Sequence, residues 1–357
     1  MNYYICERTE SEKLQKTAGV KARDDMEVIF EELEAQPIGI VCDWKSRQSV
    51  GVFKKLCWHK KIAKIWEDAL ENLKSGDCLY IQFPVVEHSI ALAGVIKRLR
   101  KKGIGVVLII HDLELLRVAK RTDTSKAKKI RLRLEEQSML LNASKVIAHN
   151  SRMRQFLKNL GVKEEKIVSL GIFDYLMPDF DHQKMDKKQY RKDAPVVIAG
   201  NLRPHKAQYV YHLPKNQEFN LYGVGYEGKP ADNIHYQGAF EPGEVPYALE
   251  GSFGLVWDGT AAETCKGTYG EYLKINNPHK VSLYLASELP VIIWKEAALA
   301  DFILEHNCGI VVDSLYDIHN ALEKMSDETY SKLQKNAKEV AKALRQGSYT
   351  KKAFSQF

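Results

Sequence analysis

The run Gly105-Val106-Val107-Leu108-Ile109-Ile110 is apolar at every position after its glycine. A strand tolerates that pattern only where both faces of its sheet are covered, which is the situation in parallel sheets. Comparable runs recur through the first half: Tyr3-Tyr4-Ile5-Cys6, Ile38-Gly39-Ile40-Val41, Cys78-Leu79-Tyr80-Ile81-Gln82-Phe83, Lys145-Val146-Ile147-Ala148 and Ile167-Val168-Ser169-Leu170. Between them lie segments with helical spacing, at 24–33 (Met26, Ile29, Phe30 and Leu33 on one face), 62–73, 90–100 and 151–160. This strand–helix alternation specifies an α/β fold with a doubly wound parallel sheet.

The polar stretch 179–192 offers almost nothing to bury and marks a linker, taken as 179–194. Beyond it the alternation restarts. Strands are expected at Pro195-Val196-Val197-Ile198-Ala199-Gly200, Phe219-Asn220-Leu221-Tyr222-Gly223, Phe253-Gly254-Leu255-Val256-Trp257, Val291-Ile292-Ile293-Trp294 and, last, Gly309-Ile310-Val311-Val312. Helices are expected at 278–287, 297–305, 315–325 and 327–345. With 357 residues, two domains are the expectation. A cleft between two such sheets is the natural place for a ligand.

Composition narrows the class. Charged residues at 28% and hydrophobic ones at 45% are those of a soluble globular protein. No apolar stretch reaches bilayer length, and the first residues lack the pattern of a signal peptide. A cytoplasmic protein, at most seated on the inner face of the plasma membrane, is the expectation. Six scattered cysteines without a CxxC pair point to reduced, mostly buried thiols. The net charge of +7 is concentrated in two clusters. One is Arg98, Arg100, Lys101 and Lys102; the other is Lys120, Arg121, Lys126, Lys128, Lys129, Arg131 and Arg133. Solvated helix faces explain most such runs, and attraction to anionic headgroups or a phosphate-bearing acceptor is the functional alternative. Nothing accompanies them that suggests nucleic acid.

Chemistry-bearing residues gather where strands end. Asn276-Asn277-Pro278-His279-Lys280 opens a helix with Pro near its start and Lys280 in the first turn. The cation adds to the positive end of the helix dipole and suits a diphosphate; an ordinary capped surface helix would look the same. Ala199-Gly200-Asn201-Leu202-Arg203-Pro204-His205-Lys206 follows a strand, and its glycine permits a sharp turn from which Asn201, Arg203 and Lys206 can reach a phosphate or ribose. Tyr222-Gly223-Val224-Gly225 and Asp258-Gly259, with Glu263, are further polar strand ends. In the first half, His111-Asp112-Leu113-Glu114 leaves the most apolar strand, so Asp112 is either a general base or a helix cap. At His149-Asn150-Ser151, capping is the better explanation. Residues 17–24 form the expected loop after the first strand; it lacks GxGxxG, which argues against a dinucleotide enzyme, yet Gly19 and Lys21 can face a ligand.

Taken together, residues 251–259, Tyr269-Gly270-Glu271-Tyr272, Asn276-Asn277-Pro278-His279-Lys280 and Leu283-Tyr284-Leu285-Ala286-Ser287 resemble bacterial β-1,6-galactofuranosyltransferases. More distantly, the chain resembles the glucosyltransferase 3 enzymes that extend glycans on serine-rich adhesins. Gly200-Asn201-Leu202, His111-Asp112-Leu113-Glu114 and Ala18-Gly19-Val20-Lys21-Ala22 fit the same family. The resemblance implies a GT-B glycosyltransferase with two Rossmann-like domains facing a central cleft. Residues 1–178 would bind the acceptor, joined by a return segment at 347–357, and 195–346 would bind the nucleotide sugar. It implies no cofactor and no metal.

By the same resemblance Lys280 contacts the phosphates beside Asn276 and Asn277, with Arg203 or Lys206 supporting the nucleotide. Gly19, Lys21, Gly200, Asn201, Tyr222, Asp258 and Tyr272 complete the donor site. Asp112, with Glu114 as its alternate, removes the acceptor proton in an inverting transfer. The expected partners are a UDP-sugar, a glycan or lipid-linked glycan acceptor, an anionic membrane in peripheral contact and a second copy of the chain; nucleic acid is not among them. The alternatives are a UDP-glucose-dependent transferase of the same fold and a non-catalytic partner of a transferase. A nucleotide-sugar epimerase is disfavoured by the missing dinucleotide loop.

Overall fold

The computed structural model of the chain describes residues 1–9, 18–42, 52–87, 89–119, 124–229 and 231–357. It divides into two compact units. One comprises Met1–Gln15, Met26–Leu170 and Ala353–Phe357; the other comprises Lys16–Asp25 and Gly171–Lys352.

Six parallel strands build the first unit: β1 (Asn2–Thr9), β2 (Gln36–Cys42), β3 (Cys78–Phe83), β4 (Gly105–Ile110), β5 (Lys145–Ala148) and β6 (Ile167–Ser169). Their order is β2-β1-β3-β4-β5-β6. Between them run α1 (Ala18–Glu32), α2 (Val52–Ala69), α3 (Leu92–Lys101), α4 (Glu114–Ala119), α5 (Lys126–Asn142) and α6 (Ser151–Asn159). The apolar run of β4 is buried from Val106 to Ile110, as its composition requires. In α3 the residues Leu92, Val95, Ile96 and Leu99 face inward and the cations fall outside, following the helical period. Phe354 packs edge-on against Tyr80 (4.8 Å) and Phe30 (5.5 Å), so the last residues complete this unit's core.

The second unit repeats the plan with β7 (Val196–Asn201), β8 (Phe219–Val224), β9 (Ile234–Gly238), β10 (Gly254–Val256), β11 (Val291–Trp294) and β12 (Gly309–Val312), ordered β12-β11-β10-β7-β8-β9. Its helices are α7 (His182–Asp186), α8 (Pro204–Ala207), α9 (Val245–Ala248), α10 (Gly267–Tyr272), α11 (His279–Ala286), α12 (Ala300–Glu305), α13 (Ile318–Lys324) and α14 (Asp327–Arg345); the last helix, α15 (Ser348–Phe354), starts in this unit and ends, from Ala353, in the first. In each sheet the strand order reverses once, between β1 and β3 and between β7 and β10. At the second reversal β10 meets β7 only at Gly254↔Val197. The strands then part, and the Ala199 N–H donates to the Tyr284 hydroxyl instead of to a strand (2.7 Å). Open α/β sheets take ligands beyond the carboxyl ends of strands at such a reversal.

Several expectations need correction. Residues 18–23 belong to α1 and are not a loop; Thr17 lies outside the described residues. The boundary between units falls after Leu170, and the stretch 179–194 is packed within the second unit. There Met185 is buried, and Lys188 donates to Pro246 O (2.8 Å) and Ser287 O (3.2 Å). Helix α5 was legible only as a charge cluster, of which Lys120 and Arg121 lie outside the described residues. Strand β9 has only partly buried or exposed positions, which is why no apolar run announced it. Among the described residues no helix is long and apolar enough to cross a membrane.

Candidate active site

The polar turns of the second unit converge on the reversal between β7 and β10. After β7, Gly200 takes φ +135° and Asn201 Oδ1 accepts the Arg203 N–H (3.1 Å), closing a side-chain turn ahead of Pro204. Arg203 lies along Gly225, where a Cβ would stand 2.4 Å from its Cγ; a side chain there would push it aside. Lys206 projects over the ring of Tyr269 (5.5 Å), which ties this turn to α10. The next strand end is held by Gly223, whose added Cβ would fall 1.8 Å from Gly200 O.

After β10 the chain folds tightly back. The Thr260 N–H donates to Lys266 O (3.2 Å), and Gly270 packs where a Cβ would meet the backbone of Cys265 at 2.5 Å. Asp258 therefore sits fixed beside the start of α11. Pro278 occupies the N-cap of that helix without a side-chain cap, and its carbonyl accepts the Val281 N–H (3.1 Å). Lys280, in the first turn as expected, is not a lone cation. Its Nζ donates to Asp258 Oδ1 (2.8 Å) and Trp257 O (3.0 Å). Burial works to lower its pKa, but the neighbouring groups, Asp258 foremost, together raise it, so the lysine stays charged.

The two asparagines separate in role. Asn277 is buried and donates to Gly171 O (2.9 Å), a latch between chain segments. Asn276 Oδ1 is buried with no hydrogen-bond partner among the described residues, a group that awaits a donor. Tyr272 is buried in α10 and its carbonyl accepts from Asn276 N (3.0 Å). Tyr222 lies beneath the sheet edge, its hydroxyl accepting from Glu250 N (3.0 Å). Lys21 is likewise committed: it pairs with Asp25, donates to Leu176 O (2.8 Å) and lies over the Tyr175 ring (4.7 Å). Gly19 is in the first turn of α1. The polar atoms of Tyr222 and Lys21 are thus committed to partners outside the cluster at β7 and β10. A crevice of about 560 Å³ lined by Lys188, Tyr190, Asn220 and Glu250 opens at the opposite, amino ends of these strands.

In the first unit Asp112 leaves β4 and pairs with Arg117, which also donates to Glu114 (3.0 Å). Asp112 does not cap α4: its Oδ1 accepts only the adjacent Leu113 N–H (2.9 Å). The cap comes from Glu136 on α5, whose carboxylate accepts from Glu114 N (3.0 Å) and Leu115 N (2.9 Å). Burial pushes the Glu136 carboxyl up to about 8, against the pull of those two N–H groups. No local signal marked Glu136, since it lies 22 residues from its partner. Asn150 caps α6 as expected, accepting from Arg152 N and Met153 N. Among the described residues no group of His, Cys, Asp and Glu is arranged to hold a metal ion.

Residues 2–172 match the N-terminal domain, and residues 196–357 the C-terminal domain, of glucosyltransferase 3-like proteins. The chain is 35% identical over 340 residues to the beta-1,6-galactofuranosyltransferase WbbI of Escherichia coli (strain K12), covering 94% of this chain and 92% of that one. It belongs to the glucosyltransferase 3-like family. Glucosyltransferase 3 of Streptococcus gordonii is 28% identical over 212 residues, 58% of this chain and 59% of that protein. Among solved structures, Anabaena Alr3699/HepE in complex with UDP is similar over the full length of both chains, with a TM-score of 0.54 at 13% identity. Sucrose-phosphate synthase from Thermosynechococcus elongatus gives 0.55 at 14% identity, over 87% of this chain and 79% of that one. The fold is GT-B, and the chain is a hexosyltransferase.

Proposed function

We propose that this family member transfers galactofuranose from UDP-galactofuranose to a hydroxyl of a glycan acceptor, with inversion and without a bound metal. The donor assignment rests on the similarity to a galactofuranosyltransferase across nearly the whole chain. The observation that carries the site is the charged Lys280, set in the first turn of the uncapped helix α11 at the β7/β10 reversal. Arg203 and Lys206 stand on the neighbouring turn.

As the acceptor oxygen bonds to C1, the bond from C1 to the diphosphate oxygen breaks and negative charge collects on UDP. Lys280 and the α11 N–H groups stabilise that charge; one such contact is worth about 3 kcal/mol of barrier. Asn276 Oδ1 accepts a hydroxyl of the donor. Asp112 takes the acceptor proton, held in place by Arg117, and Glu114 is its alternate. Inversion follows from one displacement of an α-linked donor to a β-linked product.

UDP release measured with UDP-galactofuranose and UDP-glucose, with and without candidate acceptors, tests the proposal. Turnover should need UDP-galactofuranose, persist in a chelator and fall at least about 100-fold in Asp112→Asn. Preference for UDP-glucose would move the assignment to a glucosyltransferase. Absence of saturable UDP binding would leave only a non-catalytic role.

A further inference from the structure

Helix α5 has two unlike faces. Inward, Leu132, Glu135, Glu136, Met139 and Leu140 are buried, and Glu136 holds the start of α4. Outward, Ile130 is 60% exposed, Leu134 56% and Leu141 38%. Their spacings of four and seven residues set them on one stripe. Lys126, four residues before Ile130, and Arg133, three after it, lie on the same stripe and are exposed. The cations at the other end of the helix are already engaged: Arg100 donates to Asn142 O (3.2 Å), and Lys166 donates to Leu141 O (3.3 Å) and Ala143 O (2.9 Å).

Large aliphatic side chains in open water are a standing cost of about 25 cal/mol per Å² of apolar surface. Three of them aligned on one helix face and bordered by cations match a surface that is apolar within and anionic at its boundary. We infer that the outer face of α5 docks the protein on an anionic lipid bilayer, with Ile130, Leu134 and Leu141 entering between headgroups and Lys126 and Arg133 meeting the lipid phosphates. A neutral protein partner would leave these cations unmatched. Because Glu136 of the same helix fixes the Asp112–Glu114 turn, docking by α5 would bring the proposed acceptor carboxylates close to the membrane surface.

The full-length chain sedimented with vesicles tests this directly, and lipid binding needs no transfer activity, so its failure is distinct from failure of the proposed reaction. The wild type should pellet with vesicles of equal parts phosphatidylglycerol and phosphatidylcholine, and not with phosphatidylcholine alone. Each basic residue near an anionic surface contributes about fivefold, so Lys126→Ala/Arg133→Ala should lower partitioning about 25-fold, and raised salt should do likewise. Ile130→Ser/Leu134→Ser should lower it about tenfold or more. Leu304→Ser, an equally exposed leucine of the second unit, should change nothing. Circular dichroism and UDP binding should be unchanged in all three, which separates docking from folding. Equal pelleting of the α5 variants and wild type, or no preference for the anionic vesicles, would overturn the inference. So would a fall from dimer to monomer in Ile130→Ser/Leu134→Ser by light scattering, which would make this face a contact between two copies.

Discussion

Replacing Asp258 by Asn should tighten UDP binding, whereas replacing Lys280 by Ala should loosen it, and the pair distinguishes a ligand-binding lysine from a structural one. Nζ and Oδ1 are 2.8 Å apart and the two side chains are 20% and 19% exposed. At an effective dielectric of about 20, opposite unit charges about 4 Å apart attract by about 4 kcal/mol. A diphosphate must therefore compete with Asp258 for the lysine and also suffers repulsion from the carboxylate. Asparagine keeps the shape and removes both penalties. After allowance for the desolvated lysine left behind, a gain of about 1 kcal/mol remains, or roughly fivefold in affinity. Lys280→Ala removes the cation and leaves Asp258 facing the ligand, for a loss of about 3 kcal/mol, or more than 100-fold. Titration calorimetry with UDP reads both. The pH dependence adds a second test. In the wild type Asp258 holds the Lys280 pKa above its usual value against burial. In Asp258→Asn burial loses its main opponent, so UDP affinity should fall away at lower pH than in the wild type. If both variants lost thermal stability equally while UDP affinity stayed unchanged, Lys280 would be a structural partner of Asp258 and nothing more.

Asn276→Ala should reduce kcat/KM with little change in melting temperature, because its oxygen has no partner in the described fold. Asn277→Ala should destabilise by about 1–3 kcal/mol, leaving Gly171 O unbonded, and denaturant unfolding would separate the two. Gly223→Ala should unfold the second unit or cost several kcal/mol, while Gly200→Ala, with no atom within 4 Å of the added carbon, should cost only the roughly 1–3 kcal/mol of its φ. His149 is buried and donates to Ile110 O, and burial lowers its pKa to about 3. Its folded form resists the proton that the unfolded chain takes up below about 6.5, so its contribution is present above that pH and lost as pH falls toward 3. By pH 4 this removes about 3 kcal/mol, and His149→Gln should flatten the slope. Glu136 runs the other way. Its raised pKa makes its contribution complete below about 4.5 and lost as pH rises through about 8, and Glu136→Gln should abolish that decline in chemical denaturation.

The apolar runs were enough to place β3, β4, β5, β11 and β12 at their observed bounds, because a strand covered on both faces has no choice of residue type. The helix start at Pro278 and the turn at Gly200 were equally legible, since Pro at a helix start and a glycine after a strand act on their own neighbours. The short helices and the edge strand β9 were not, because their stability comes from what they pack upon and not from a run of their own. Lys21 was a reasonable loop cation in one dimension; α1 begins earlier, and its burial partners Asp25 and Leu176 are distant or set by the helix itself.

Sequence alone thus determined the fold class, the strand ends where chemistry gathers and the family, all of which depend on residue type and local spacing. Tertiary structure decided which charges face each other. Asp258 reaches Lys280 because β10 and α11 are adjacent, and Glu136 caps α4 because α5 lies beside it. An ion pair or a buried cap is a property of the distance between elements, and sheet order and helix packing set that distance.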